Sequence, residues 1–258
     1  MSLMKKALAI FCFLLLCFNI KAESVFSLDL KTDIILSTLA AGLFVSSLFI
    51  ENPPNQIPDS LNRSDVNPFD RFFMVTRRNQ DIRFASDIMI AGISLLPVIS
   101  VEDNFNANRL LTYTVMYSQT LLLAHGIEGL MKNNITRFRP YLHDGGDLSL
   151  RTDIRHESFP SGHTCTAFLS ATFFATTFSM ENPDSRWKWP VIIGSYTLAT
   201  GVGAMRMMAG MHFFTDVLAG AALGSLFGWL VPYLHRNDNS NNFPVIITGN
   251  GLLVSLKF

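Results

Sequence analysis

Between the first 22 residues and the polar linker after Leu234, six long apolar stretches carry no charged residue: 34–50, 88–101, 110–124, 164–180, 189–205 and 217–234. Each approaches the roughly 20 residues that an α-helix needs to cross about 30 Å of hydrocarbon. One such stretch is an ordinary core helix, but six in 258 residues are not. Only helices and closed barrels satisfy every backbone group in lipid, and stretches of this length point to helices. The expected fold is all-α, a six-helix transmembrane bundle. Composition agrees, with 49% hydrophobic residues, 16% charged and 22 phenylalanines. The 20 basic side chains equal the 20 acidic ones, so no net field invites nucleic acid.

The first 22 residues, "MSLMKKALAIFCFLLLCFNIKA", place Lys5 and Lys6 before an apolar run and end on Ala22. That is the layout of a signal peptide, with an uncleaved signal anchor as the alternative. The expected domains are this leader, a transmembrane domain over 23–235, and a tail over 236–258. In the tail, "TGNG" between two short apolar runs reads as a β-hairpin. Removal of the leader would leave Cys165 alone, so packing and not a disulfide holds the fold. The glycines of "GAALGSLFG", at every fourth position from Gly220, let a neighbouring helix approach the last span closely.

Polar clusters interrupt the apolar pattern in three places. "KNNITRFRP" contains Lys132 and Arg139. "FPSGHT" brings Ser161, Gly162 and His163 to the start of the fourth span. "AMRMMAGMHFFTD" contains Arg206, His212 and Asp216. The first two lie on the loop between spans three and four, and the third lies two crossings later, so all three reach the same mouth of the bundle. Arginine forks suit phosphate oxygens bidentately, lysine adds a point charge, and free amides at a helix start favour an anion. Lys132, Arg139 and Arg206 with the "PSGH" turn therefore look like a cradle for a tetrahedral anion, with Gly162 sparing bulk where the backbone approaches it.

His212 and Asp216 are four residues apart and share a helical face. The carboxylate can take the proton of one ring nitrogen and leave the other free to attack, the arrangement of an activated nucleophile. His163 from another helix can protonate a departing alkoxide. Glu128, four residues before Lys132, stands in the favourable order for a helical ion pair and is expected to position that lysine. The three cations would repel a divalent ion, so neither metal nor cofactor is expected.

The three motifs together resemble the signature of the type 2 phosphatidic acid phosphatase family, K-x6-R-P, P-S-G-H and S-R-x5-H-x3-D. This family is a membrane branch of the group that includes bacterial acid phosphatases and vanadium haloperoxidases. The resemblance implies that His212 forms a phosphohistidine, Asp216 orients it, and His163 acts as acid and then activates water. It also implies that Lys132, Arg139, Ser161, Gly162 and Arg206 hold the phosphate without metal. Met205 stands where the family usually has serine. The implied activity is hydrolysis of a lipid phosphate or diphosphate at the bilayer. The alternatives are a lipid-phosphate binding or scaffolding protein with little turnover, and a vanadate-dependent haloperoxidase.

The expected location is a bacterial cytoplasmic membrane, with the lipid substrate and the bilayer as partners. Relatives place the mouth away from the cytoplasm, whereas counting six crossings from an outside start puts it inside. Either an early segment lies in the interface, with proline-bearing 88–101 the suspect, or the mouth faces inward.

Overall fold

The computed structural model describes residues 25–50, 60–99, 107–144, 157–237, 245–248 and 251–254. The leader thus lies outside the described residues. Helices account for nearly all of the regular structure: α1 (Leu30–Phe49), α2 (Pro68–Phe73), α3 (Gln80–Ile93), α4 (Leu96–Ile99), α5 (Ala107–Asn134), α6 (Gly162–Glu181), α7 (Lys188–Met208) and α8 (Phe214–Leu234). The two segments Val245–Thr248 and Gly251–Val254 pair antiparallel. The turn between them and their side chains lie outside the described residues, so a structured hairpin tail is not established.

Five of the six charge-free stretches fall in single long helices, the first apart from its last residue, Ile50. The exception is 88–101, where α3 stops at Ile93 and Ser94 and Leu95 turn the chain into the four-residue α4. Pro97 falls in the first turn of α4, where its missing N–H costs nothing. By length and composition α1 and α8 could each cross a membrane alone. The other long helices carry more polar residues, which they turn inward: Gln119, Thr120 and Glu128 on α5 and Thr164, Ser170 and Thr177 on α6 are buried. The outside of the bundle is strongly apolar, with Ile35, Leu48, Phe84, Trp189, Ile193 and Leu226 exposed. In water such a surface would be an association hazard, and in lipid it is the expected one.

The helix contacts explain the small residues. A Cβ on Gly220, Gly224 or Gly228 of α8 would lie 2.4, 2.2 or 2.6 Å from the carbonyl oxygen of Ser161, Cys165 or Leu169 respectively. The three glycines therefore set the α6–α8 separation. Gly126 does the same for α5 against α1, where a Cβ would lie 2.7 Å from the backbone nitrogen of Phe44. At the end of the bundle away from the polar clusters, the buried Asp33 accepts hydrogen bonds from Gln119 and His235, both at 2.9 Å, which ties α1, α5 and the end of α8 together. Cys165 is buried and unpaired as a disulfide.

Candidate active site

The ends of α5 and α7, the middle of α3, the starts of α6 and α8, and the loops beside them form one polar site. His212 occupies the short turn between α7 and α8. Its Nδ1 donates to the Ser158 carbonyl at 2.7 Å. That fixes the tautomer and leaves the Nε2 lone pair unprotonated, accepting from the Arg139 guanidinium at 3.3 Å. Burial first, then the charges of Arg139, Arg206 and Lys132, hold the imidazole well below its ordinary pKa. The ring is neutral, which is the form that can attack.

The partner of His212 is not the expected one. Asp216 Oδ2 lies 3.7 Å from Nδ1, outside hydrogen-bond range. That oxygen instead accepts from the Ser158 hydroxyl at 2.6 Å and from the Phe213 backbone N–H at 2.8 Å. Oδ1 takes the Arg137 guanidinium at 2.5 Å. Asp216 thus fixes the 158 loop and the start of α8, and orients His212 through Ser158. A carboxylate already filled by better-placed donors has no need of the imidazole.

Arg139 is buried, and donates to the Met211 carbonyl at 3.0 Å and to the Glu157 carbonyl at 3.3 Å. Burial lowers its pKa from the usual arginine value. Arg206, also buried, donates to Ser86 at 3.1 Å and approaches Asp87 at 3.3 Å. Asp87 also receives His163 Nε2 at 2.8 Å, so one carboxylate oxygen joins the would-be acid to a would-be phosphate ligand. Ser161 caps α6, its hydroxyl accepting from the Thr164 N–H at 3.4 Å, and its own N–H donates to the Asp216 carbonyl at 3.0 Å. Met205 is partly buried on the last turn of α7.

Lys132 and Glu128 pair at 2.5 Å as their spacing predicts, and the second Glu128 oxygen meets His125 Nδ1 at 2.6 Å. Gly162 has a different use from the one expected. A Cβ there would lie 2.3 Å from Glu128 Oε1, so the glycine makes room for the carboxylate that holds Lys132.

Five of the residues here escaped sequence reasoning. Ser158, Asp87 and His125 give no signal in one sequence beyond a polar residue near a span. Arg137 and Asp70 had a faint one, as a second arginine in "RFRP" and an aspartate in a polar connection. Asp70 is fully buried and accepts from Arg137 at 2.5 Å and from the Thr215 N–H and hydroxyl at 2.9 and 2.7 Å. Hydrogen bonds from Thr215, Asn67 and Arg137 outweigh its burial and hold its carboxyl below the usual range. The Arg137 guanidinium also lies 4.3 Å from the Phe213 ring centroid.

Residues 113–240 match the model of the PAP2 superfamily, the family whose signature the three motifs resemble. All the motif residues fall inside that stretch. Among curated proteins, the chain is similar to the lipid A 1-phosphatases of Porphyromonas gingivalis, 35% identical over 38% of this chain and 22% of that one, and Rhizobium johnstonii, 37% identical over 46% and 44%. It is also similar to the phosphatidylglycerophosphatase B of Bacillus subtilis, 34% identical over 43% of this chain and 54% of that one. The matches thus span between about a fifth and about a half of these relatives. The crystal structure of a transmembrane PAP2-type phosphatidylglycerolphosphate phosphatase from Bacillus subtilis aligns with 76% of this chain at 22% identity, with a TM-score of 0.39, too loose a likeness to carry any argument.

Proposed function

We propose that this protein is an integral-membrane phosphatase that hydrolyses a lipid phosphate or diphosphate without metal, through a phosphohistidine on His212. The observation that carries the reading is the His212 ring itself: buried, neutral, its Nδ1 proton held by the Ser158 carbonyl and its Nε2 lone pair beside the Arg139 guanidinium. An unprotonated Nε2 beside a buried guanidinium is where a phosphoryl group held by that arginine could be attacked.

In the first step Nε2 attacks phosphorus, the phosphorus–oxygen bond to the lipid breaks, and the departing oxygen takes the proton of His163. In the second step water attacks the phosphohistidine, His163 takes the proton of that water, the phosphorus–nitrogen bond breaks and phosphate leaves. Lys132, Arg139, Arg206 and the start of α6, with Ser161 and Gly162, stabilise the charge on the phosphoryl oxygens. Asp216 holds the frame in which His212 is oriented, and Glu128 holds Lys132.

The names of the relatives favour an envelope lipid bearing a phosphate, such as lipid A or phosphatidylglycerophosphate, as substrate. The apolar exterior and the two helices long enough to span lipid favour a bacterial membrane, with the cytoplasmic membrane as the reading proposed here. The mouth of the bundle lets a head group reach the site while acyl or prenyl chains stay in the bilayer.

The test is phosphate release from a panel of lipid phosphates by purified protein in detergent with chelator present. Release by the wild type that is lost in His212→Ala is expected. Phosphate binding without release from any lipid would instead support a lipid-phosphate binding protein, for which Met205 in the serine position gives a specific motive.

A further inference from the structure

The segment 75–79 runs directly beside the turn that carries His212. The Asn79 N–H donates to the Ala209 carbonyl at 3.3 Å. A Cβ on Gly210, whose φ is +70°, would lie 2.9 Å from the carbonyl oxygens of Val75 and Arg77. Only glycine combines that backbone with that approach. Tyr141, two residues after Arg139, donates its N–H to the Gly210 carbonyl at 3.1 Å. Arg78 is therefore held against the same turn as Arg139, and its guanidinium lies 5.3 Å from the Tyr141 ring centroid.

What distinguishes Arg78 is the absence of an acceptor. Its Nε is buried with no hydrogen-bond partner, and among the described residues no carboxylate or carbonyl meets its guanidinium. Its neighbour in charge is a second cation, since Arg78 is close enough to Arg139 to help lower the pKa of that residue, behind burial as the main cause. Arg206 Nε is likewise buried without a partner, but the guanidiniums of Arg206, Arg139, Arg137 and Arg83 each reach at least one acceptor: Ser86 and Asp87, the Met211 carbonyl, two aspartates, and Gln80 at 2.8 Å. A partly buried guanidinium without an acceptor, within electrostatic reach of another, is unfavourable unless an anion comes to it. The cation–π contact with Tyr141 helps hold the guanidinium in place for one.

We propose that Arg78 forms a second anion subsite beside the scissile phosphate, so that the substrate carries a second anionic group close to the first, as a diphosphate does. The inference rests on the reading of the Lys132, Arg139 and Arg206 cluster as a phosphate cradle, and it makes Arg78 a specificity residue that the family signature does not contain.

The test is calorimetric binding of inorganic phosphate and of pyrophosphate to the full chain in detergent, for wild type, Arg78→Gln and Arg78→Lys. A charge-assisted hydrogen bond to a second phosphoryl group corresponds to roughly a 10- to 100-fold preference for pyrophosphate. The wild type is expected to show that preference, Arg78→Gln to lose it with phosphate affinity within about twofold of wild type, and Arg78→Lys to keep most of it. The proposal is overturned if wild type binds the two anions equally, if Arg78→Gln weakens both alike, or if a second, independent phosphate ion binds at Arg78. If wild type binds neither anion, the cradle reading falls, and this inference with it; equal binding of both removes the inference alone.

Discussion

Arg137 is the most exposed part of a buried lock, and its removal has a calculable cost. Its guanidinium bridges Asp70 and Asp216, both with side chains at 0% exposure, at 2.5 Å each, and also donates to the Thr215 hydroxyl at 2.7 Å. Arg137→Met keeps much of the apolar bulk over Phe213 but leaves two like charges buried without their cation. Breaking a buried ion pair by removing one partner costs about 3–5 kcal/mol, much of it the uncompensated charge left behind. For a domain of this size that corresponds to a fall in apparent melting temperature of roughly 6–20 °C. If uncompensated charge is the cause, adding Asp70→Asn to Arg137→Met should recover about half of the loss, because the remaining hydrogen bonds of Asp216 still hold it. The assay is thermal unfolding in detergent followed by tryptophan fluorescence, with phosphate release measured on the same samples at a temperature where all remain folded. A melting temperature for Arg137→Met within about 2 °C of wild type would refute the lock. A double variant no better than the single one would refute the charge argument.

Asp87→Asn removes the carboxylate shared by His163 and Arg206; if His163 is the acid proposed above, kcat should fall roughly 10- to 100-fold as it loses its partner, with KM no higher. A raised KM at unchanged kcat would place Asp87 in binding instead. Stability should depend on pH through His212. Its folded pKa lies well below the unfolded value of about 6.5, so the unfolded chain binds the extra proton and stability falls as pH drops through and below that value. Melting curves at pH 7.5 and pH 5.5 for wild type and His212→Ala check this, and an equal fall in both proteins would contradict it. Gly224→Ala should destabilise the α6–α8 contact by about 1–3 kcal/mol or more, because its Cβ would meet the Cys165 carbonyl. Gly42→Ala has nothing within 4 Å of the new atom and should be neutral or stabilising in the same melting assay.

The helices and the meeting of the three motifs were legible because both are local or periodic signals. A charge-free stretch identifies itself, and an odd or even number of crossings places its flanking clusters at one end or the other. The break at Ser94 and Leu95 was visible only as Pro97 nearby, since a short apolar run does not show whether one helix or two will form. The true partners of the motif residues were not legible. His212 to the Ser158 carbonyl is a side-chain-to-backbone bond, and a carbonyl has no residue type to betray it. Asp87 and Arg137 act through distances across 76 and 79 positions in the chain, to His163 and Asp216. The spacing of His212 and Asp216 suggested a direct bond, but the helix begins only at Phe214, so the histidine lies outside the regular turn that the spacing assumes. Gly162 was identified as a position without bulk, yet the group that needs the space is Glu128 from another helix.

The central claim is that His212 Nε2 takes the phosphoryl group. It is tested most directly by incubating the protein with a lipid substrate labelled at phosphorus, quenching in alkali and measuring label retained on the chain. Wild type should carry label that is stable to base and lost in acid, located on His212 by mass spectrometry, and His212→Ala should carry none. Phosphate release without any labelled histidine, or label that survives in His212→Ala, would contradict the account.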